Sequence, residues 1–122
     1  MLGEITKLLK ITNITKISMN FKFPYKNYKP QELIRRAGYG QIFNRHTNET
    51  SYKRALGSAF YPRFHVYIKE FEKYFEISLH LDQKQASYEG SKAHSGEYNG
   101  EQVENEARRI TKVIADIYGI EV

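Results

Sequence analysis

The chain has 122 residues, a formal net charge of +5, a pI near 9.3, 40% hydrophobic residues and no cysteine. That length reads as a single domain over residues 1–122, with a core large enough to need no covalent staples. Without cysteine, a disulfide scaffold, a thiol nucleophile and every Cys-based zinc or iron–sulfur site are excluded. The charge is uneven. Residues 1–63 carry twelve Lys/Arg against three Glu, a net +9, whereas residues 64–122 carry seven basic and eleven acidic residues, a net −4. A basic half of this kind either meets a polyanion or is neutralised by the acidic half within one fold. No apolar run approaches the ~20 residues of a membrane span. The charged opening Met1–Lys10 does not form a signal-peptide core. A cytoplasmic, membrane-free protein is expected.

Residues 1–12 read as a short helix or arm, with Ile5, Leu8 and Leu9 on one side. Over 14–23, Ile17, Met19, Phe21 and Phe23 alternate with Lys16, Ser18, Asn20 and Lys22, which predicts a half-buried strand ended by Pro24. The loop from Pro24 to Lys29 interleaves tyrosines with lysines. Pro30 suits a helix's first turn and Gly38 its C-terminal cap, with Leu33, Ile34 and Ala37 as the apolar side. Residues 39–50 read as irregular, and a short strand is expected around 51–56.

The clearest pattern lies in 63–82. Phe64, Val66 and Ile68 alternate with Arg63, His65 and Tyr67, and Phe75, Ile77, Leu79 and Leu81 alternate with Glu76, Ser78, His80 and Asp82. A turn near 70–73 makes this an antiparallel hairpin with one apolar and one polar face. Residues 83–100 are polar and without periodicity. The last helix is capped by Asn99 with Gln102, carries the stripe Val103, Ala107, Ile110, Val113, Ile114 and Ile117, and stops at Gly119. The predicted class is α+β, an antiparallel sheet of about four strands with helices packed on one face.

Two surfaces carry chemistry. On the polar face of the hairpin, a turn centred near residues 71–72 sets His65 near Ser78 and His80 near Arg63. The loop leading to the last helix adds His94 and Glu97. His65, His80, Asp82, His94 and Glu97 are therefore candidate ligands for a divalent metal, or acid/base residues, since imidazole with carboxylate suits Zn, Mn or Fe and activates water. The plain alternative is a solvated sheet face. A loop as long as 83–100 reads as either a lid over this face or a surface loop. Its Gly90-Ser91-Lys92 lacks P-loop spacing.

The second surface is the basic, aromatic N-terminal half. Lys22, Tyr25, Lys26, Tyr28, Lys29, Arg35, Arg36 and Arg63 pair positive charge with flat rings, and Arg45, Lys53 and Arg54 extend the set. Single-stranded nucleic acids are held this way, by phosphate neutralisation and base stacking. Tyrosines also serve as core rims and lysine-rich loops as solubilisers.

Arg63-Phe64-His65 and His80-Leu81-Asp82 resemble incomplete copies of the His-hydrophobic-His strand motif of single-strand-nicking endonucleases. That family places two metal-binding histidines on one strand and a tyrosine nucleophile on a helix. Here each strand supplies one histidine, and the helical tyrosine is Tyr118. Arg36-Ala-Gly-Tyr-Gly40, Phe60-Tyr-Pro-Arg-Phe-His-Val-Tyr-Ile68, Leu79-His-Leu-Asp-Gln-Lys84 and His94-Ser-Gly-Glu-Tyr-Asn-Gly100 together resemble a group of short bacterial proteins with no assigned activity. This resemblance spans about residues 33–118 and implies no role for any of them. The expected function is RNA or single-stranded DNA binding through the basic half. A metal-dependent hydrolase or nuclease on the polar face is the alternative, and a protein-interaction module the third.

Overall fold

Strict alternation builds the centre of the sheet. In a computed structural model, which describes residues 13–14, 18–83 and 100–121, strand β2 (Ser18–Pro24) buries Met19, Phe21 and Phe23 on one side. Strands β5 (Arg63–Glu70) and β6 (Tyr74–Asp82) bury Phe64 and Val66, and Phe75, Ile77, Leu79 and Leu81. Outside them lie β1 (Asn13–Ile14), β3 (Gly40–Asn44) and β4 (Glu49–Ala55), in the order β1–β2–β6–β5–β4–β3, every pair antiparallel.

Helices α1 (Pro30–Arg36) and α2 (Gly100–Tyr118) cover the apolar face. Leu33 and Ile34 of α1, and Val103, Ala107, Ile110 and Ile114 of α2, join the strand residues in one core. Phe23 stacks on Phe75 at 5.6 Å and meets Phe21 edge-on at 5.5 Å. Each fully buried side chain of this size contributes about 1.5–3 kcal/mol. The α+β class holds.

Both helices stop where a glycine takes a left-handed conformation. At Gly38 (φ +99°) the Tyr39 N–H turns back to the Ile34 carbonyl. At Gly119 (φ +78°) the Ile120 N–H does the same to Ala115. The first of these turns drives Tyr39 into the core.

Three expectations need correction. Among the described residues the sheet has six strands rather than about four. Residues 39–50 are not irregular but carry β3, a turn and the start of β4. Within the turn the Asn44 side chain accepts from the His46 and Thr47 N–H groups, and Asn48 is left-handed (φ 60°). Edge strand β3 is almost wholly exposed, so no alternation is imposed on it. Finally, the β5–β6 hairpin is shifted by two residues: His65 faces His80, Tyr67 faces Ser78 and Arg63 faces Asp82. The loop is Glu72-Lys73, bracketed by Phe71 and Tyr74, whose rings stack at 4.7 Å. The arm at 1–12 and most of the 83–100 loop lie outside the described residues.

Candidate functional site

The face of the sheet opposite the helices is lined by alternate residues of β2, β6, β5 and β4. Register brings Arg63, His65, His80 and Asp82 into one patch. The Arg63 Nε donates to Asp82 Oδ2 at 3.2 Å, and the same oxygen lies 3.0 Å from His65 Nδ1. On its other side His65 Nε2 meets Ser51 Oγ at 2.7 Å. With a neutral imidazole protonated at Nδ1, His65 donates to Asp82 and accepts from Ser51. Tyr67 stacks on the His65 ring at 4.7 Å and 28°, and touches His80 edge-on at 5.9 Å. Burial holds the His80 pKa below its ordinary value. Asp82 opposes that shift and His65 reinforces it.

Ser51, His65 and Asp82 repeat the hydrogen-bond order of a serine-hydrolase relay. Ser51 is only 6% exposed, however, so its oxygen does not face a substrate. What the chain of bonds does here is fix the plane of His65, and with it the plane of Tyr67, which is 38% exposed. Among the described residues no group of three or more His, Asp or Glu side chains is arranged to hold a metal ion. Arg63 already occupies the Asp82 carboxylate that such an ion would need. His94 and Glu97 lie outside the described residues.

A second platform stands at the end of β4 and β5. Phe60, in the connection between these strands, is 59% exposed. The Arg63 guanidinium lies 4.6 Å from its ring centroid and the Lys53 ammonium 4.9 Å. Tyr61 meets Phe60 edge-on at 4.7 Å and holds Arg63 at 5.1 Å. A cleft of about 430 Å³ opens beside them. Pairing of β4 with β5 runs from Ala55 opposite Arg63 to Tyr52 opposite Val66. Past that point a second cleft, of about 350 Å³, opens next to Tyr67, with Glu49, Lys69 and Ser78 around it. At the far end of the same face Lys22 sits over the Tyr74 ring at 4.8 Å.

The other residues of the predicted basic set are placed elsewhere. The Tyr25 hydroxyl donates to the Phe71 carbonyl at 2.6 Å, and its ring lies against Phe75. Tyr28 stacks on Tyr118. Lys26 donates to the Tyr118 carbonyl at the end of α2, where a cation offsets the helix dipole. The Tyr118 hydroxyl donates to the Pro24 carbonyl at 2.7 Å, and burial pushes its pKa up to about 12. The tyrosine–lysine loop is thus a latch on the last helix, and Tyr118 belongs to that latch rather than to the histidine patch. Lys29 precedes α1. Arg35, bonded to Gln41, and Arg36, 5.9 Å from the Tyr28 ring centroid and 4.0 Å from Glu32, are exposed beside it.

Comparison with protein-family models, with curated proteins and with solved structures finds no match for this chain. The geometry alone therefore carries the functional reading. Ser51, Phe60, Tyr61 and Tyr67 belong to it although the sequence reading did not select them. The signal for the second and third was present in Lys53-Arg54 and Phe60-Tyr61-Pro62-Arg63, the same interleaving of cations and rings that marked the 24–29 loop.

Proposed function

We propose that this protein binds single-stranded nucleic acid, RNA or DNA, across the face of its sheet opposite α1 and α2. The observation that carries the reading is Phe60, an exposed ring between Lys53 and Arg63. An exposed apolar ring with mobile cations lying over it favours a flat, anionic ligand, whose base takes the ring face while its phosphate takes the displaced cations. Tyr67 and the Lys22–Tyr74 pair continue the same chemistry along the face. From Arg63 to the Phe71 level of β5 the track covers eight residue steps, about 27 Å at ~3.4 Å each. That length suits a short strand of ~4 nucleotides, the lower end of known single-strand site sizes.

The test is fluorescence anisotropy with an unstructured, hydroxyl-ended oligonucleotide at low salt. Phe60→Ala is expected to weaken binding by about 5- to 150-fold, the equivalent of ~1–3 kcal/mol for one stacked base. Phe60→Tyr should retain most of the affinity. Absence of binding at low salt refutes the proposal, as does indifference of a measured affinity to both Phe60→Ala and Tyr67→Ala.

A further inference from the structure

Strand β3 begins at Gly40, opposite Lys53, so Arg54 and Ala55 run beyond its pairing. The connection between β4 and β5 folds back at this corner, where the Leu56 N–H donates to the Pro62 carbonyl. The 430 Å³ cleft lies here, and cations from both faces of the sheet reach it: Lys53 and Arg63 from one, Arg54 from the other. Gly38 lines it, and a Cβ there would meet Arg54 Nε at 3.5 Å, an ordinary contact; it is the left-handed backbone that reserves the position for glycine.

Two features select the ligand. The first is size, since the cleft suits one small molecule or one nucleotide unit. The second is charge. Among the described residues, Lys53, Arg54, Arg63 and, behind Arg54, Arg109 are four cations whose ion pairs reach two carboxylates, Asp82 and Glu106, a balance of two positive charges. A phosphodiester brings one negative charge. A terminal phosphomonoester brings about −1.5 to −2 near neutral pH, with three acceptor oxygens. Arg54 spends one donor on Glu106, so donors of its guanidinium remain for such a group.

We infer that the cleft beside Phe60 takes the terminal phosphate of a nucleotide chain, with the adjoining base stacked on the Phe60 ring. The inference rests on the single-strand reading above and adds end recognition to it. An internally labelled strand of about eight nucleotides, prepared with a 5′-phosphate, a 3′-phosphate or two hydroxyl ends, separates the two ideas. One phosphorylated form should bind about tenfold tighter than the hydroxyl-ended strand, as expected for new bonds between charged groups. Ala59→Glu, an exposed position on the cleft wall, should erase that preference without moving the melting temperature. Equal affinity of all three strands overturns the phosphate site and leaves the sheet-face reading standing. If no strand binds while a nucleoside monophosphate does, in a manner lost in Ala59→Glu, the sheet-face reading falls and the phosphate site survives. If neither binds, both fall.

Discussion

Glu106 is a buried charge whose removal should cost the fold heavily. Its side chain is 4% exposed and sits in the interface between α2 and the sheet. The carboxylate accepts from the Tyr39 hydroxyl at 2.6 Å, from Arg109 at 2.8 and 2.9 Å, and from Arg54 at 3.3 Å. Arg109 also donates to the Ala37 carbonyl, so one cluster ties helix, sheet and the Schellman turn after α1. Burial, then the Glu106 charge and bond, raise the Tyr39 pKa, so its hydroxyl remains a donor. The bond to Glu106 raises the Arg109 pKa against burial.

Deleting one partner of a buried ion pair costs about 3–5 kcal/mol. Here both arginines are about one-third exposed and can turn to water, which places Glu106→Leu near ~3 kcal/mol. At roughly 4 °C per kcal/mol for a chain of this size, the melting temperature should fall by about 10–15 °C. The sharper readout is a double-mutant cycle. Tyr39→Phe alone breaks a bond to a charged group, at about 1.5–3 kcal/mol. In the Glu106→Leu background the same change removes an orphaned buried hydroxyl and should be neutral or stabilising. Urea denaturation followed by circular dichroism measures all four corners. If Tyr39→Phe costs the same in both backgrounds, the reasoning fails.

Two further predictions concern the sheet face opposite α1 and α2, and the latch. Because His80 has a depressed pKa in the folded chain, the unfolded chain takes up the proton first as pH falls. The stability it contributes is complete above about pH 6.5 and is lost on acidification below that value. His80→Gln should flatten the acid limb of a melting-temperature profile between about pH 5 and 7.5, and parallel profiles would count against it. Tyr118→Phe breaks the bond to Pro24 and should lower stability by about 0.5–1.5 kcal/mol. It should leave oligonucleotide affinity unchanged, and a large loss of binding would show that the tyrosine–lysine loop touches the ligand.

The parts of the fold that the sequence makes legible are those whose burial alternates. Phe21 and Phe23, Phe64 and Val66, and Phe75 to Leu81 each face the helices and leave a polar residue between them. Gly38 and Gly119 are legible because only glycine accepts their backbone at no cost. The β3 strand is hidden because the core lies over the middle of the sheet, and its Gln41 and Phe43 remain exposed even on the helix side. The hairpin register is hidden for a different reason. A slip of two residues preserves every inside–outside assignment, so alternation alone cannot distinguish it, and the Phe71–Tyr74 stack decides. Tyr25 and Tyr28 misled because their partners, Phe71 and Tyr118, are 46 and 90 residues away. Local spacing carries no trace of such contacts.

The charge asymmetry takes its meaning from these pairings. Arg54 is held by Glu106 and Arg63 by Asp82, each joining the basic half to the acidic half. Lys26 caps the last helix. Part of the +9 in residues 1–63 therefore completes the fold, and a polyanion meets what the sheet face and the cleft beside Phe60 still present. Among the described residues, the strand lysines on the face opposite α1 and α2 are Lys22, Lys53 and Lys69, and single-strand binding releases about 0.7 counterion per neutralised phosphate. A strand engaging those three and Arg63 should show a logarithmic salt slope of about −3, against about −6 if the whole basic half were engaged. The slope distinguishes a ligand on the sheet face from one spread over the basic half, because the former meets fewer cations.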